Sequence, residues 1–262
     1  MKKLRIIPYA VSKGLNLLVA SLKETGVDVK KLKRTGSTYT GSDGSVILNW
    51  GSSSRLAISH DIDIINRIGP VVVASNKLET FKRLRLEMTN NIPIWTDLKE
   101  VAKELIEEGY TIYCRELLRA SEGRGIVIAK RVEELVDCKL YTVDCQTQRE
   151  VRVHVFNGEV IDFAQKKKMN SERLASIGIE TARTDIRNHG NGWVFARANV
   201  TIPEDAKEVA IKAVKALGLD FGAVDMSLNL GAPKVLEVNT APGLEGQTVV
   251  SYRNAIIKIL NS

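Results

Sequence analysis

The run Phe221-Gly222-Ala223-Val224-Asp225-Met226, a turn at Leu230-Gly231-Ala232, and the return Lys234-Val235-Leu236-Glu237-Val238-Asn239-Thr240-Ala241-Pro242-Gly243 constrain this chain more than any other segment. A three-residue turn sets Asp225 directly opposite Glu237 and puts Asn239 on the same face. Val224, Met226, Leu228, Leu236 and Val238 are then expected on the other. Two carboxylates directly across a ladder repel, and a sheet rarely keeps such a pair without a reason. A hard divalent cation supplies one, because Mg²⁺ takes one or two carboxylates and fills its shell with water and phosphate oxygens. A solvated hairpin with polar outer positions is the plainer reading.

At 262 residues and 26% charged, the composition is that of a globular protein with enough chain for two or three lobes. Cys114, Cys138 and Cys145 show no CxxC spacing and leave one thiol over in any disulfide scheme, so they are expected as small core hydrophobes in a reducing compartment. Pro8 and Lys13 interrupt what would otherwise resemble a signal peptide, and no apolar run is long enough to span a bilayer. A cytoplasmic protein without a membrane partner is expected. The net charge of +7 lies wholly within residues 1–35, which suggests an anionic partner for the first lobe, or simply a solvated basic face. Only Tyr9 and Tyr39 lie nearby to stack on bases, so nucleic acid is a poor fit.

Hydrophobic periodicity gives an α/β (α+β) organisation. Leu4–Ile7, a helix over Leu15, Leu18, Val19 and Leu22, and Val27–Val29 read as β-α-β, with Val46–Leu48 and Val71–Val73 as further buried strands of a lobe covering 1–75. Two helical patterns flank Asn90–Pro93. Strands are then expected at 111–115, 125–130 and 140–143, followed by a hairpin, 151–156 and 160–165, turning on Asn157-Gly158. Residues 170–192 read as a loop. Pro203-Glu204-Asp205 starts a helix whose buried stripe runs from Ala206 to Leu217 and stops at Gly218.

Several residues on this scaffold carry chemistry under one reading and none under another. Ser121, Gly123 and Gly125 lie between two strands, where backbone amides can approach phosphate or the chain can merely turn. In the Asn-Gly hairpin, Val151, Val153 and Val155 face one side, and Glu150, Arg152 and His154 the other. Glu150 can accept both hydroxyls of a ribose. Lys166, Lys167 and Lys168 can neutralise a triphosphate or guard a sheet edge. His154 reads as structural, since no second ligand lies at metal spacing. Arg197 and Asn199 share a face of a short strand, as a charge clamp or a surface pair.

Taken in order, Lys77, Arg115, the Gly123/Gly125 loop, the Leu140–Val143 strand, Glu150, Lys166 to Lys168, Arg197 with Asn199, and Asp225, Glu237 and Asn239 resemble the ATP-grasp superfamily over residues 75–246. Asn49-Trp50-Gly51-Ser52, Arg187 to Trp193 and Leu236 to Gly246 look most like its bacteriophage-type members. The chain departs from the common pattern at Arg115-Glu116, where many relatives carry Lys-Pro, and at the hinge, which lacks a Glu followed by an aromatic. The resemblance implies a small N-terminal α/β lobe (1–75), a small ATP-grasp subdomain with the glycine loop (76–139) and a large subdomain with the metal site (140–262). It implies ATP with adenine against Leu140, Tyr141, Thr142 and Val143, ribose on Glu150, and phosphates on Lys77, Arg115, Ser121, Gly123, Gly125, Lys166 and Lys167. Asp225, Glu237 and Asn239 would hold two Mg²⁺ ions, with Mn²⁺ as a substitute, and Arg197 with Asn199 would be catalytic.

The implied activity joins a carboxylate to an amine through an acyl phosphate, with a small-molecule or peptide substrate docking its acid on the basic first lobe. Asn49, Trp50, Ser52, Ser53 and Arg55 are the candidates there for choosing it. A small-molecule kinase and a non-catalytic ATP- or nucleic-acid-binding protein are the alternatives, and a homo-oligomer is left open.

Overall fold

Ser12 begins the first helix in the way its residue type allows. In the computed structural model, which describes residues 3–34, 36–41, 44–54, 62–120, 123–229 and 231–261, its backbone is extended and its hydroxyl accepts the Leu15 N–H at 3.2 Å. Strand β1 (Leu4–Pro8) leads into this helix, α1 (Lys13–Glu24), which crosses to β2 (Val29–Lys31). Strands β3 (Val46–Trp50) and β4 (Ile64–Ile65) complete a parallel sheet of order β2-β1-β3-β4. Leu15, Leu18 and Leu22 are buried in its core. The valine run at 71–73 is not a strand of this sheet. It lies in helix α2 (Ile68–Ala74), with Pro70 in the first turn, where a missing N–H breaks no helical bond. Val71 and Ala74 pack into the core of a different sheet, so tertiary burial overrides the strand propensity of three β-branched residues.

Asn76 caps α3 (Lys77–Met88), whose Leu78, Phe81, Leu84 and Met88 enter that same core. Residues 76–92, expected with the small subdomain, therefore pack against the large one. An unforeseen two-residue strand, β5 (Trp95–Thr96), precedes α4 (Lys99–Glu107), β6 (Ile112–Arg115), β7 (Ile126–Ala129) and β8 (Tyr141–Val143). These strands make an antiparallel sheet of order β5-β8-β6-β7. β8 is hydrogen-bonded to both β5 and β6, so the break expected at 139/140 falls inside a sheet. Cys114 is fully buried there, as expected of a small core hydrophobe, whereas Cys138 and Cys145 are half-buried, and all three are free thiols.

The large sheet begins with β9 (Arg149–Phe156) and β10 (Glu159–Lys168), joined at Asn157-Gly158 with φ of 49° and 77°. That left-handed pair is what a two-residue hairpin loop demands. The stretch expected as a loop contains α5 (Ser171–Ser176), and its Leu174 and Ala182 form a small core with the flanking Met169 and Trp193. There follow β11 (Trp193–Ala196), α6 (Glu204–Ala216), β12 (Phe221–Leu228), β13 (Lys234–Asn239) and a helix the sequence reading missed, α7 (Gln247–Asn261). The order is β11-β10-β9-β12-β13, with α3 and α6 packed on the valine face of β9. No helix among the described residues is long and apolar enough to cross a membrane.

α7 ties the first sheet to the large one. Trp50 stacks on Phe221 at 5.1 Å, Phe221 on Phe156 at 5.3 Å, and Tyr252 of α7 meets all three rings edge-on. Asn49 is fully buried, its side chain closing a turn onto the Ser52 N–H at 2.8 Å and carbonyl at 3.0 Å. Asn49, Trp50 and Ser52 are thus buried in the core and in this turn, Ser53 is exposed, and Arg55 lies outside the described residues.

Two consequences are measurable. α1 crosses the chain so closely that a Cβ on Gly14 would lie 2.7 Å from the Leu244 backbone N and O. Gly14→Ala should therefore cost about 1–3 kcal/mol and lower Tm by roughly 2–4 °C per kcal/mol; an unchanged thermal transition would contradict this approach. Second, His154 is 1% exposed with Nδ1 3.2 Å from the Tyr252 hydroxyl, and burial, then the Arg152 guanidinium, pushes its pKa down to about 4. Because the unfolded imidazole protonates near pH 6.5, its stabilisation is complete above that pH and is lost as pH falls towards about 4, by at most about 3 kcal/mol. Urea unfolding at pH 7 and pH 5 should show a larger acid loss for wild type than for His154→Gln; equal losses would refute the assignment.

Candidate active site

Alternation along β9 sends Val151, Val153 and Val155 into the core and Glu150, Arg152 and His154 towards the small sheet. Between the two sheets lies a cleft of about 1360 Å³. Tyr113, Arg115, Ile126, Ile128, Thr142 and Val143 line it from the small sheet; the large sheet contributes the β9 triad with Lys166, Asp225, Leu236, Glu237 and Asn239. No described residue before Lys77 lines it, although Gly51 of the first lobe packs against Ala241 at its edge.

Asp225 and Glu237 are direct partners in the ladder, and Asn239 pairs with Ala223, as the hairpin reading required. The turn differs. A bulge after Asp225 pairs Met226 with Val235, leaving Leu236 as the extra residue and five residues between the strand ends. Val235 takes the core position at 1% exposure, and Leu236, expected in the core, lines the cleft beside Glu237.

The like charges are offset from either side. Arg152, directly across from Asp225 on β9, donates Nε to Oδ1 at 2.6 Å and Nη2 to Oδ2 at 2.7 Å. Burial pushes the Asp225 carboxyl up, and the Arg152 guanidinium overrides it and holds the group below the usual carboxylate range. Lys77 Nζ lies 3.3 Å from Glu237 Oε2 and donates to the Ala120 carbonyl at 2.5 Å, linking α3 to the start of the glycine loop. The donor set suits a hard divalent cation. Two carboxylates and the Asn239 amide, whose Nδ2 is 3.5 Å from Asp225 Oδ2, offer oxygens on one face, and a carboxylate bound by arginine still has lone pairs to give. Among the described residues there is no group of three or more His, Cys, Asp or Glu side chains placed to hold a metal ion.

The other expected residues divide. Arg115 lines the cleft with Nε 3.3 Å from the Thr142 hydroxyl and, among the described residues, no carboxylate within ion-pair distance; burial pushes its pKa down, against the pull of Glu237. Lys166 donates to Glu150, which burial pushes up against the lowering effect of that ammonium. Lys167, one position on, is not a lining residue, and Lys168 sits over the Trp193 ring at 5.9 Å. Gly123 lines the cleft at φ +74°, whereas Gly125 does not, and Ser121 lies outside the described residues. Leu140 and Tyr141 are buried in separate cores, leaving Thr142 and Val143 to face the cleft. Arg197 lines it, but β11 ends at Ala196, and Asn199 is exposed at φ +56° and is not a lining residue. The two therefore do not share a strand face.

The sequence reading gave no role to Arg152 or to Arg187, whose guanidinium stacks 4.7 Å over Trp193 and donates to the Thr147 carbonyl at the cleft. Both fall in segments that the reading had already singled out as polar, but their partners come from β12 and from a distant loop.

Known proteins share this architecture. PsnB, an ATP-grasp ligase solved with a minimal precursor, superposes with a TM-score of 0.68 at 14% identity, covering 98% of this chain and 99% of its own. D-alanine–D-alanine ligase from Bacillus anthracis gives 0.64 at 15% identity, covering 99% and 93%. In sequence, the chain is 29% identical over 202 residues to a probable alpha-L-glutamate ligase of Parasynechococcus marenigrum (strain WH8102), a match spanning 71% of this chain and 40% of that relative. A protein of the same description from Haemophilus influenzae (strain ATCC 51907 / DSM 11121 / KW20 / Rd) is 25% identical over 225 residues, spanning 82% and 68%. The chain thus spans less than half the length of several curated relatives it matches. The RimK-like ATP-grasp domain matches residues 116–262, more than half of the chain and both faces of the cleft, and the protein belongs to that family.

Proposed function

We propose that this protein is an ATP-dependent ligase that activates a carboxylate as an acyl phosphate and joins it to an amine, releasing ADP and phosphate. The observation that carries this reading is that Lys77, Arg115, Lys166 and Arg197 line one cleft between two sheets together with Asp225, Glu237 and Asn239, Lys77 lying 3.3 Å from Glu237. A carboxylate resists nucleophiles because of its charge; a phosphoryl group placed on it makes a leaving group of phosphate. Asp225, Glu237 and Asn239 would hold Mg²⁺, which would supply positive charge against the phosphates. The protein's own groups do the rest. Arg115 and Lys166 hold phosphate oxygens from opposite sheets, and Arg197 faces the charge that develops on the transferred group. Leu236, turned inward by the bulge, and Ile126 with Ile128 give an apolar slot for adenine beside the Val143 backbone, with the free oxygen of Glu150 left for ribose.

The relatives described as probable alpha-L-glutamate ligases make glutamate the first amine to try. Arg187, with its carbonyl contacts and its stack on Trp193, offers a fixed cation for an acidic substrate at the same cleft.

The test is a hydroxylamine trap with ATP, Mg²⁺ and a pool of carboxylic acids and acidic peptides, read by mass spectrometry, followed by glutamate in place of hydroxylamine. Hydroxamate is expected, and Glu237→Gln should reduce it roughly 100-fold or more while leaving the fold intact by circular dichroism. A phosphorylated pool component without hydroxamate would replace the ligase with a kinase. For the nucleotide slot, Leu236→Ala should weaken ATP binding by about tenfold, the worth of burying a leucine side chain against a base; titration calorimetry showing unchanged affinity would remove Leu236 from the slot.

A further inference from the structure

β10 carries a second bulge. Val160 pairs with Val155, but the next registered pair is Asp162 with His154, so Ile161 is the extra residue. The shift puts Asp162 opposite His154 on the cleft side of β9, while Phe163 packs back into the valine core. A bulge beside an active site commonly re-aims one side chain. Here the re-aimed group is a carboxylate whose side chain is 9% exposed, and its partners are specific. Arg197 donates Nε and Nη2 to Asp162 Oδ2 at 3.2 and 3.1 Å. Thr248, fully buried in the first turn of α7, donates its hydroxyl to the same oxygen at 2.5 Å and accepts from Arg197 Nη2. Arginine, carboxylate and hydroxyl thus close a triangle that fixes two of the three guanidinium nitrogens. Nη1, with two N–H donors, makes no hydrogen bond to any of the described residues.

We propose that Asp162 and Thr248 are positioning residues for Arg197: they lock its guanidinium so that Nη1 is presented to the phosphoryl group and the tetrahedral centre formed on the substrate carboxylate. This rests on the ligase reading for its chemistry and on the triangle for its geometry. An arginine that follows the end of a strand has four side-chain torsions to fix. A donor misplaced by about 1 Å costs up to 100-fold in rate. The lock also accounts for a buried acid outside the metal set and for a threonine hydroxyl at the foot of a helix that reaches no substrate itself.

Two readouts test it together. The Arg197 Nε–H resonance, assigned by its loss in Arg197→Lys, should be sharp and slow to exchange in wild type and broadened in Asp162→Asn and Thr248→Val. Hydroxamate kinetics should show kcat lowered about 10- to 100-fold in both variants with KM for ATP within about twofold, and Thr248→Ser, which keeps the hydroxyl, should recover most of the loss. An unchanged resonance in Asp162→Asn, or a change in KM alone, overturns the proposal. A wild type that makes no hydroxamate overturns the ligase reading and with it the catalytic role, and the resonance still decides whether the triangle holds Arg197.

Discussion

The bidentate pair of Arg152 with Asp225 is the interaction on which the rest of the site depends. Asp225 and Glu237 face each other in the ladder, where two unscreened carboxylates would push the strands apart. Arg152 on the neighbouring strand neutralises one of them at 2.6 and 2.7 Å, and Lys77 stands 3.3 Å from the other. Neither cation is local in sequence to its acid, so the hairpin can carry these charges only inside the assembled sheet with α3 laid beside it. The pair is buried and is therefore no strong source of stability, because desolvation consumes most of the Coulombic gain. What it supplies is a defined place for negative charge. That place becomes useful once a divalent cation and phosphate oxygens share it.

Around that point the large sheet carries two bulges, one turning Leu236 into the cleft and the other setting Asp162 beside the cleft-lining Arg197. The bulge after Asp225 exchanges Leu236 for Val235, giving the cleft an apolar wall without leaving a hole in the core. The bulge at Ile161 brings Asp162 beside Arg197. A strictly alternating strand could offer the cleft every second residue only. One inserted residue lets the chain choose a neighbouring side chain, at the price of one unpaired ladder position.

Much of this was legible in the sequence because it depends on local rules. Period-two alternation in residues 150–155 separates core from cleft, the Asn157-Gly158 pair fixes the hairpin, and the Asp225, Glu237 and Asn239 spacing survives the bulge because the extra residue lies on the turn side of Glu237. What escaped was decided at a distance. The valines at 71–73 carry a strand's composition, and only the large-sheet core makes them a helix. The three lysines at 166–168 look equivalent until β10 assigns Lys166 alone to the cleft. Asn199 seemed to share a face with Arg197 because nothing in Arg197-Ala198-Asn199 announces that the strand has stopped. α7 has no acidic residue in its first turn to mark its start, so its amphipathic run passed unread.

That unread helix explains why a lobe outside the cleft is built into the same body. α7 buries Tyr252 among Trp50 of the first sheet and Phe156 and Phe221 of the large one, while its first turn brings Thr248 to Asp162 and Arg197. Tyr252 also meets His154, which stands next but one to Arg152 on β9. A single helix therefore borders both charged arrangements of the site, the Arg152–Asp225 pair through the histidine and the Arg197–Asp162 pair through the threonine. Stacked and edge-on rings are stiff contacts with few alternative packings. α7 is thus held near its middle against three aromatic residues while its first turn carries the Thr248 hydroxyl that meets Asp162 and Arg197, so the first lobe is joined to the border of the cleft through that helix.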